Sequence, residues 1–286
     1  MKIAMSGSTG FVGSYLGKIF EEKGWQVVPL LREDFASGVA AVHDKIEGCD
    51  AVINLAGAPI AARWTEAYKK VLYESRVPLT QKIVAAMHGL ERRPSVFISV
   101  SGVGIYPSGG PWTEEDTGIS DDFLGHLAFD WEQAALEARS AGIRTAVFRF
   151  GVVLGRGGGA LAKMLPLFKM GLGGVIGSGS QPVSWVHMAD CAAALCAALE
   201  DVSYQGTYNL CAPHATTNEG LTHVLARALH RPAFLPVPAF AMKIAFGQGA
   251  VVLLDGQSAV PKRLLDAGFN FEFEWIEDAL ANILTA

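Results

Sequence analysis

Nowhere in this chain is there an uninterrupted apolar run of the ~18 residues that a membrane-spanning helix requires. Lys and Arg are scattered rather than clustered and the formal net charge is -5, which argues against nucleic acid or an anionic lipid surface as the main partner. Four cysteines, Cys49, Cys191, Cys196 and Cys211, form no Cys-x-x-Cys pair and no spacing typical of a zinc site, so no metal is expected. They read as small buried apolar residues in a reducing compartment. No internal repeat and no low-complexity tract is present. Charged residues make up 18% of the chain and hydrophobic ones 50%, over 286 residues, which describes a soluble, well-cored protein of one large or two modest domains. The apolar N-terminus reads as a first strand rather than a secretory leader, because Gly7 and Gly10 interrupt it, and a cytoplasmic location is expected.

What is present begins at once. Met1 to Ser6 is strand-like and runs into Gly7, and Gly10 and Gly13 follow at intervals of three, with helical spacing through Tyr15, Leu16, Ile19 and Phe20. Each glycine in such a turn has a mechanical role: a tight turn, close approach of the backbone to a pyrophosphate, and a helix lying close on the strand. The helix N-terminus then offers unpaired N–H groups to phosphate. Gly7, Thr9, Gly10, Phe11, Val12 and Gly13 are therefore expected to hold a dinucleotide. A second strand-like run, Trp25 to Leu31, ends at Arg32. An arginine here suits the 2'-phosphate of NADP, and NAD is the less favoured cofactor. The alternative for Arg32 is an ordinary solvated residue at a strand end.

Further strands are expected at Cys49 to Gly57, Pro94 to Ser101, Arg144 to Phe150 and Gly206 to Leu210, with helices at Thr65 to His88, Phe123 to Ser140 and Ala189 to Leu199. Pro78 should kink or break the first of these helices. Just before it, Arg76 either reaches back to the cofactor phosphates or forms a surface salt bridge with Glu74 or Glu91. Strands that are continuous apolar runs, alternating with helices, predict an α/β fold with a doubly wound parallel sheet covered on both faces. The NADP-binding domain is expected to comprise 1–151 plus 189–211. A smaller substrate or lid lobe would comprise 152–188 plus 212–286. The glycine-rich stretch 155–180 is expected to form loops and short helices over the mouth of the site, and Phe234 to Leu254 a buried helix pair or a subunit contact of a homodimer.

Together these segments resemble the extended short-chain dehydrogenase/reductases, the Rossmann-like group that holds nucleotide-sugar epimerases and dehydratases. The resemblance rests on the glycine fingerprint, Asn54-Leu55-Ala56-Gly57, Ser99-Val100-Ser101, Arg149 to Gly155, Ser184 to Asp190 and Gly206 to Leu210, in that order over the whole chain. Arg63-Trp64-Thr65, Ser75-Arg76, Trp131-Glu132, Gly177 to Gln181 and Pro261 to Leu264 bring it closer to one atypical branch, the "epimerase family" proteins sometimes labelled cell-division inhibitors. That branch implies that Arg32 and Arg76 hold the NADP phosphate and that Leu55, Ala56 and Val153 touch the cofactor. Leu31, Gly57, Ser99 and Arg149 join the expected cofactor set.

The chain departs from its superfamily where the chemistry is done. Enzymes of this kind carry a Tyr and a Lys four residues apart on one helix face, the Tyr exchanging a proton with the substrate. None of the six tyrosines is followed by such a lysine. With Glu132 matched to the glutamate that usually follows the pair, the two positions fall on Leu124 and Ala128. Ser101 remains, either to hydrogen-bond a substrate oxygen or to satisfy local backbone. Tyr106 either turns into the pocket as a substitute proton donor or serves as a packing residue. His126 lies about 200° around the helix from the lost Tyr, His187 reads as a core histidine, and Glu114, Glu115 and Asp116 read as a solvated loop. The resemblance thus implies an NADP-binding, epimerase- or dehydratase-like oxidoreductase acting on an unidentified small molecule. The alternative is a catalytically inactive NADPH-binding regulator or redox sensor.

Overall fold

The computed structural model describes residues 1–285. β1 (Lys2–Ser6) is followed by α1 (Phe11–Glu22), β2 (Gln26–Leu30), two short helices α2 (Arg32–Ser37) and α3 (Val39–Ile46), and β3 (Ala51–Asn54). Then come α4 (Glu66–Glu74), α5 (Val77–His88), β4 (Val96–Gly102), β5 (Gly109–Trp112), α6 (Phe123–Leu136) and β6 (Arg144–Phe150). The second half contains β7 (Val152–Leu154), α7 (Gly159–Lys169), β8 (Pro182–Val183), β9 (Trp185–His187), α8 (Met188–Glu200), β10 (Gly206–Leu210), β11 (Thr216–Thr217) and α9 (Asn218–Ala228). It closes with α10 (Ala239–Phe246), α11 (Val251–Leu254), β12 (Gln257–Ala259), α12 (Lys262–Asp266) and α13 (Ile276–Thr285).

Six strands form one parallel sheet in the order β10-β6-β4-β3-β1-β2. Because β2 lies on one side of β1 and β3 on the other, the chain reverses direction across the sheet between β1 and β3. Crevices at such a switch point, beyond the C-terminal strand ends, are where doubly wound sheets bind ligands. Alternate residues of each strand serve opposite faces. Ile3, Met5, Ile53, Ile98 and Phe148 pack with Leu16 and Phe20 of α1 and with Cys191, Leu195 and Leu199 of α8. Ala4, Val52, Phe97 and Val147 pack with Val42 and Ile46 of α3, Ile83 and Met87 of α5, and Ala135 of α6. A third core joins Leu161 and Phe168 of α7, Trp185, Leu225 of α9 and Leu280 of α13.

The stretch 65–88 is two helices, not one kinked helix. Pro78 sits in the first turn of α5, where its missing N–H leaves no helical bond unmade, and the chain breaks at Ser75 and Arg76. The glycine-rich stretch is also more regular than its composition suggests, since α7 runs for 11 residues within it. Phe234 to Leu254 does not form a buried helix pair: α10 buries none of its residues, and Phe240 and Ile244 are 66% and 67% exposed. All four cysteines are buried with free thiols. Among the described residues no helix is long and apolar enough to cross a membrane.

Candidate functional site

The glycine turn is built on close backbone approaches. Gly7 takes a φ of +68°, and a Cβ there would lie 2.8 Å from the Leu55 carbonyl oxygen; a Cβ on Gly13 would lie 2.2 Å from the oxygen of Gly7. Neither position tolerates a side chain, so α1 is drawn down onto β1 and β3. Gly10 is the N-cap of α1 and no side chain caps that helix, which leaves its first N–H groups directed at the crevice.

A cavity of about 590 Å³ runs from this turn along the C-terminal strand ends, past Leu55, Ala56 and Gly57 after β3 and Ser101 at the end of β4, to Gly151 and Val152 after β6. Arg76 lines it and is only 6% exposed. Its guanidinium donates to the carbonyls of Ala58 (2.8 Å) and Leu72 (3.1 Å) and to Ser75 Oγ (3.4 Å), and lies 5.2 Å from the Trp131 ring centroid. Among the described residues no carboxylate pairs with it, so neither Glu74 nor Glu91 is its partner. Burial without an anion lowers its pKa to about 10. Gly57 makes room for it, since a Cβ there would lie 2.9 Å from Arg76 Cζ.

A buried polar chain that sequence reasoning missed holds this corner together. Ser6 Oγ donates to Asn54 Oδ1 (2.6 Å), and Asn54 Nδ2 donates to Thr80 Oγ1 (2.8 Å). The Thr80 hydroxyl donates to the Arg76 carbonyl (2.7 Å) and accepts from Trp131 Nε1 (3.0 Å). Asn54 and Trp131 both lie in motifs that stand out in the sequence. Their pairing through Thr80 had no local signal, because it joins β3, α5 and α6.

The expected site residues divide. Gly7, Gly10, Phe11, Val12, Gly13, Leu55, Ala56, Gly57, Arg76 and Ser101 line the cavity. Thr9 lines a neighbouring pocket that shares Gly10 and Phe11 with it. Leu31 caps α2 and the exposed Arg32 opens that helix; Leu30 is level with Ser6 in the sheet, so both stand beside the glycine turn. Val153 follows Val152, which lines the cavity. Ser99 is not at the cavity wall: it is fully buried within the sheet, level with Asn54 and Val147.

Arg149 is likewise not a cavity residue. It makes a two-pronged ion pair with Glu132, Nε to Oε1 and Nη2 to Oε2 both at 2.8 Å, and Nη1 donates to the Tyr106 hydroxyl at 2.6 Å. Burial opposes its charge, but Glu132 outweighs burial and raises its pKa. Tyr106 in turn is fully buried, with Asn209 Oδ1 and the Thr113 carbonyl each 2.9 Å from its hydroxyl. It does not turn into the cavity, because the Arg149 guanidinium and the stacked Trp112 ring, 6.0 Å away, hold it in the core. Burial raises its pKa, against the effect of Arg149.

Leu124 and Ala128, the residues that the sequence match sets against the superfamily's Tyr and Lys, both line the cavity with apolar side chains. The expected solvated loop is partly buried: Glu114 accepts from the Asn209 backbone N–H at 2.8 Å, and burial raises its pKa. His126 is exposed beside Asp121. His187 is buried; its Nδ1 accepts from the Ala189 N–H at the start of α8, and burial lowers its pKa to about 4.

Residues 3–211 match the family described as NAD dependent epimerase/dehydratase, and residues 237–283 match a domain of unknown function, DUF1731. The chain is 36% identical to the Epimerase family protein SDR39U1 homolog, chloroplastic, of Arabidopsis thaliana, over 99% of this chain and 87% of that protein. It is 35% identical to the Epimerase family protein YfhF of Bacillus subtilis, over 99% of this chain and 98% of that one. The crystal structure of human epimerase family protein SDR39U1 (isoform 2) with NADPH superposes with a TM-score of 0.91 at 35% identity, covering 100% of this chain and 99% of that one.

Proposed function

The chain belongs to the NAD dependent epimerase/dehydratase family, and on that premise we propose that it binds NADPH at the glycine turn and acts as an oxidoreductase on a small molecule. The observation that carries the reading is Arg76, a buried, cavity-lining guanidinium that meets neutral oxygens and the Trp131 ring and, among the described residues, no carboxylate. A buried cation is normally paired, and a phosphate supplies the missing anion. Gly7, Gly10 and Gly13 provide the backbone cradle, Arg76 the buried charge, and exposed Arg32 the contact for the 2'-phosphate that separates NADPH from NADH. When bound, the reduced nicotinamide supplies a hydride. The chain's own contribution is to hold the cofactor and to keep the reacting carbon among the apolar side chains that line the cavity.

Fluorescence titration with NADPH and NADH tests this. NADPH is expected to bind roughly tenfold or more tightly, and Arg32→Ser to close the gap. Equal affinities would overturn the NADP preference, and no binding of either would overturn the reading of the glycine turn.

A second reading, a catalytically inactive NADPH-binding regulator, is favoured by the apolar pair Leu124 and Ala128 at the acid and base positions. It is distinguished by bound NADPH that no carbonyl or nucleotide-sugar compound oxidises. For localisation we keep the cytoplasm, supported by four buried free thiols. For assembly we keep a homodimer across the exposed apolar face of α10, which light scattering of the purified protein checks.

A further inference from the structure

Seven of the eight residues of α10 are apolar, Lys243 being the exception, and the helix buries none of them. Phe240 and Ile244, one turn apart, form an exposed stripe along it. The connection that leads into α10 carries no helix, because Pro232, Pro236 and Pro238 exclude one, and Phe234 stands out there at 77% exposed, with Leu235 next to it. This connection runs against the chain that follows α7. The Val237 N–H donates to the Val175 carbonyl (2.8 Å), the Gly177 N–H donates to the Val237 carbonyl (2.9 Å), and a Cβ on Gly171 would lie 3.6 Å from Pro232 Cγ. Exposed Met170 and Leu172, on either side of Gly171, thereby join the same apolar region.

The segments that build this region carry formal charge of one sign only. No Asp or Glu occurs between Glu137 and Asp190, or between Glu219 and Asp255, in a chain whose net charge is -5. Lys169 ends α7, Arg227 lies in the last turn of α9, Arg231 follows that helix, and Lys243 lies on α10; all four are exposed. Arg231 Nε donates to the Lys169 carbonyl at 3.0 Å, which sets those two cations together. None of the four pairs with a carboxylate among the described residues. Glu219, the acid of α9, stands at the opposite end of that helix from Arg227. In the sequence these cations are scattered, and only the fold gathers them about the apolar side chains.

We propose that this face docks on a membrane surface that carries anionic lipid. A helix that is apolar on nearly every side and buries nothing lacks a partner in water. At a bilayer, Phe234, Phe240 and Ile244 enter the boundary between headgroups and acyl chains, while Lys169, Arg231 and Lys243 meet lipid phosphates. The charge pattern decides between occupants. A second copy across α10 covers the apolar residues but sets each cation against its own equivalent across a two-fold axis, whereas an anionic bilayer answers both features at once. The inference does not depend on the cofactor reading. It brings the cavity close to the bilayer, because Val251 and Val252 of α11, which follows α10, form part of the cavity wall.

Co-sedimentation of the full chain with vesicles is the test, using phosphatidylcholine alone and phosphatidylcholine with phosphatidylglycerol at roughly 2:1. The anionic vesicles are expected to bind roughly tenfold or more tightly, and high salt to remove that preference. Arg231→Gln with Lys243→Gln should weaken binding roughly tenfold or more, and Phe234→Ser with Phe240→Ser by a similar factor. Thermal unfolding of both variants should match that of the unaltered chain, since every substituted side chain is exposed. Equal binding to the two kinds of vesicle, binding to neither, or binding that both variants leave intact would overturn the inference. So would capture by polyglutamate without vesicle binding, which assigns the face to an acidic protein. A dimer in light scattering that the serine variants dissolve, again without vesicle binding, would overturn it in favour of a second copy.

Discussion

Arg76 and Arg149 are both largely buried in the same α/β body, and their surroundings are opposite. Arg149 is met by both oxygens of Glu132 and by the Tyr106 hydroxyl. Arg76 is met by two backbone carbonyls, a serine hydroxyl and the edge of a cavity. A buried cation that has its own carboxylate is complete and belongs to the fold. One that has only neutral acceptors retains its affinity for an anion from outside. The pair thus marks where the scaffold under β4 and β6 ends and the binding crevice at β1 and β3 begins.

Breaking the complete pair should have the larger effect. Arg149→Met leaves the Glu132 carboxylate buried without a counter-charge, which costs on the order of 3–5 kcal/mol. Chemical denaturation should show that loss in full, while the protein that remains folded binds NADPH with unchanged affinity. A combined Arg149→Met/Glu132→Leu variant should recover much of the stability, because no lone charge is left. A large loss of NADPH affinity with little loss of stability would collapse the distinction and return Arg149 to the cofactor.

Arg76→Met should do the reverse. NADPH affinity should fall roughly 10–100-fold, or about 1.4–2.8 kcal/mol, the worth of a charge-assisted phosphate contact out of water. Stability without cofactor should hold or rise, since an uncompensated guanidinium leaves the interior. A stability loss like that of Arg149→Met, with NADPH affinity intact, would show that the neutral acceptors were enough.

The same contrast explains what the sequence discloses. Gly7 and Gly13 are legible because a close backbone approach permits one residue type, and the fold around them follows from buried strand runs alternating with helices. Arg76 is legible only as a choice between phosphate and surface salt bridge, and tertiary burial makes that choice. Arg149 sits in a motif of the same prominence. Its partner lies on α6, 17 residues away, and nothing in the spacing distinguishes a paired from an unpaired arginine. The exposed face of α10 is hidden for the related reason that composition records how apolar a stretch is but not what covers it.

Tyr106→Phe should give the smallest effect and sharpen the contrast from its other side. Its hydroxyl accepts from Arg149 and faces Thr113 and Asn209, so its removal leaves one guanidinium N–H and one buried acceptor short of a partner. A loss of about 1–2 kcal/mol follows, the usual penalty for orphaning a buried polar group, with the Glu132 prongs still in place. NADPH affinity should not move, and neither should the rate of NADPH oxidation by any compound that proves to be a substrate, because the hydroxyl does not reach the cavity. A stable Tyr106→Phe protein that binds NADPH normally yet no longer oxidises it would mean that the Arg149 network opens toward the cavity during turnover. That single result would move Arg149 from the scaffold into the chemistry and leave Arg76 as the only arginine of the two with an anion to wait for.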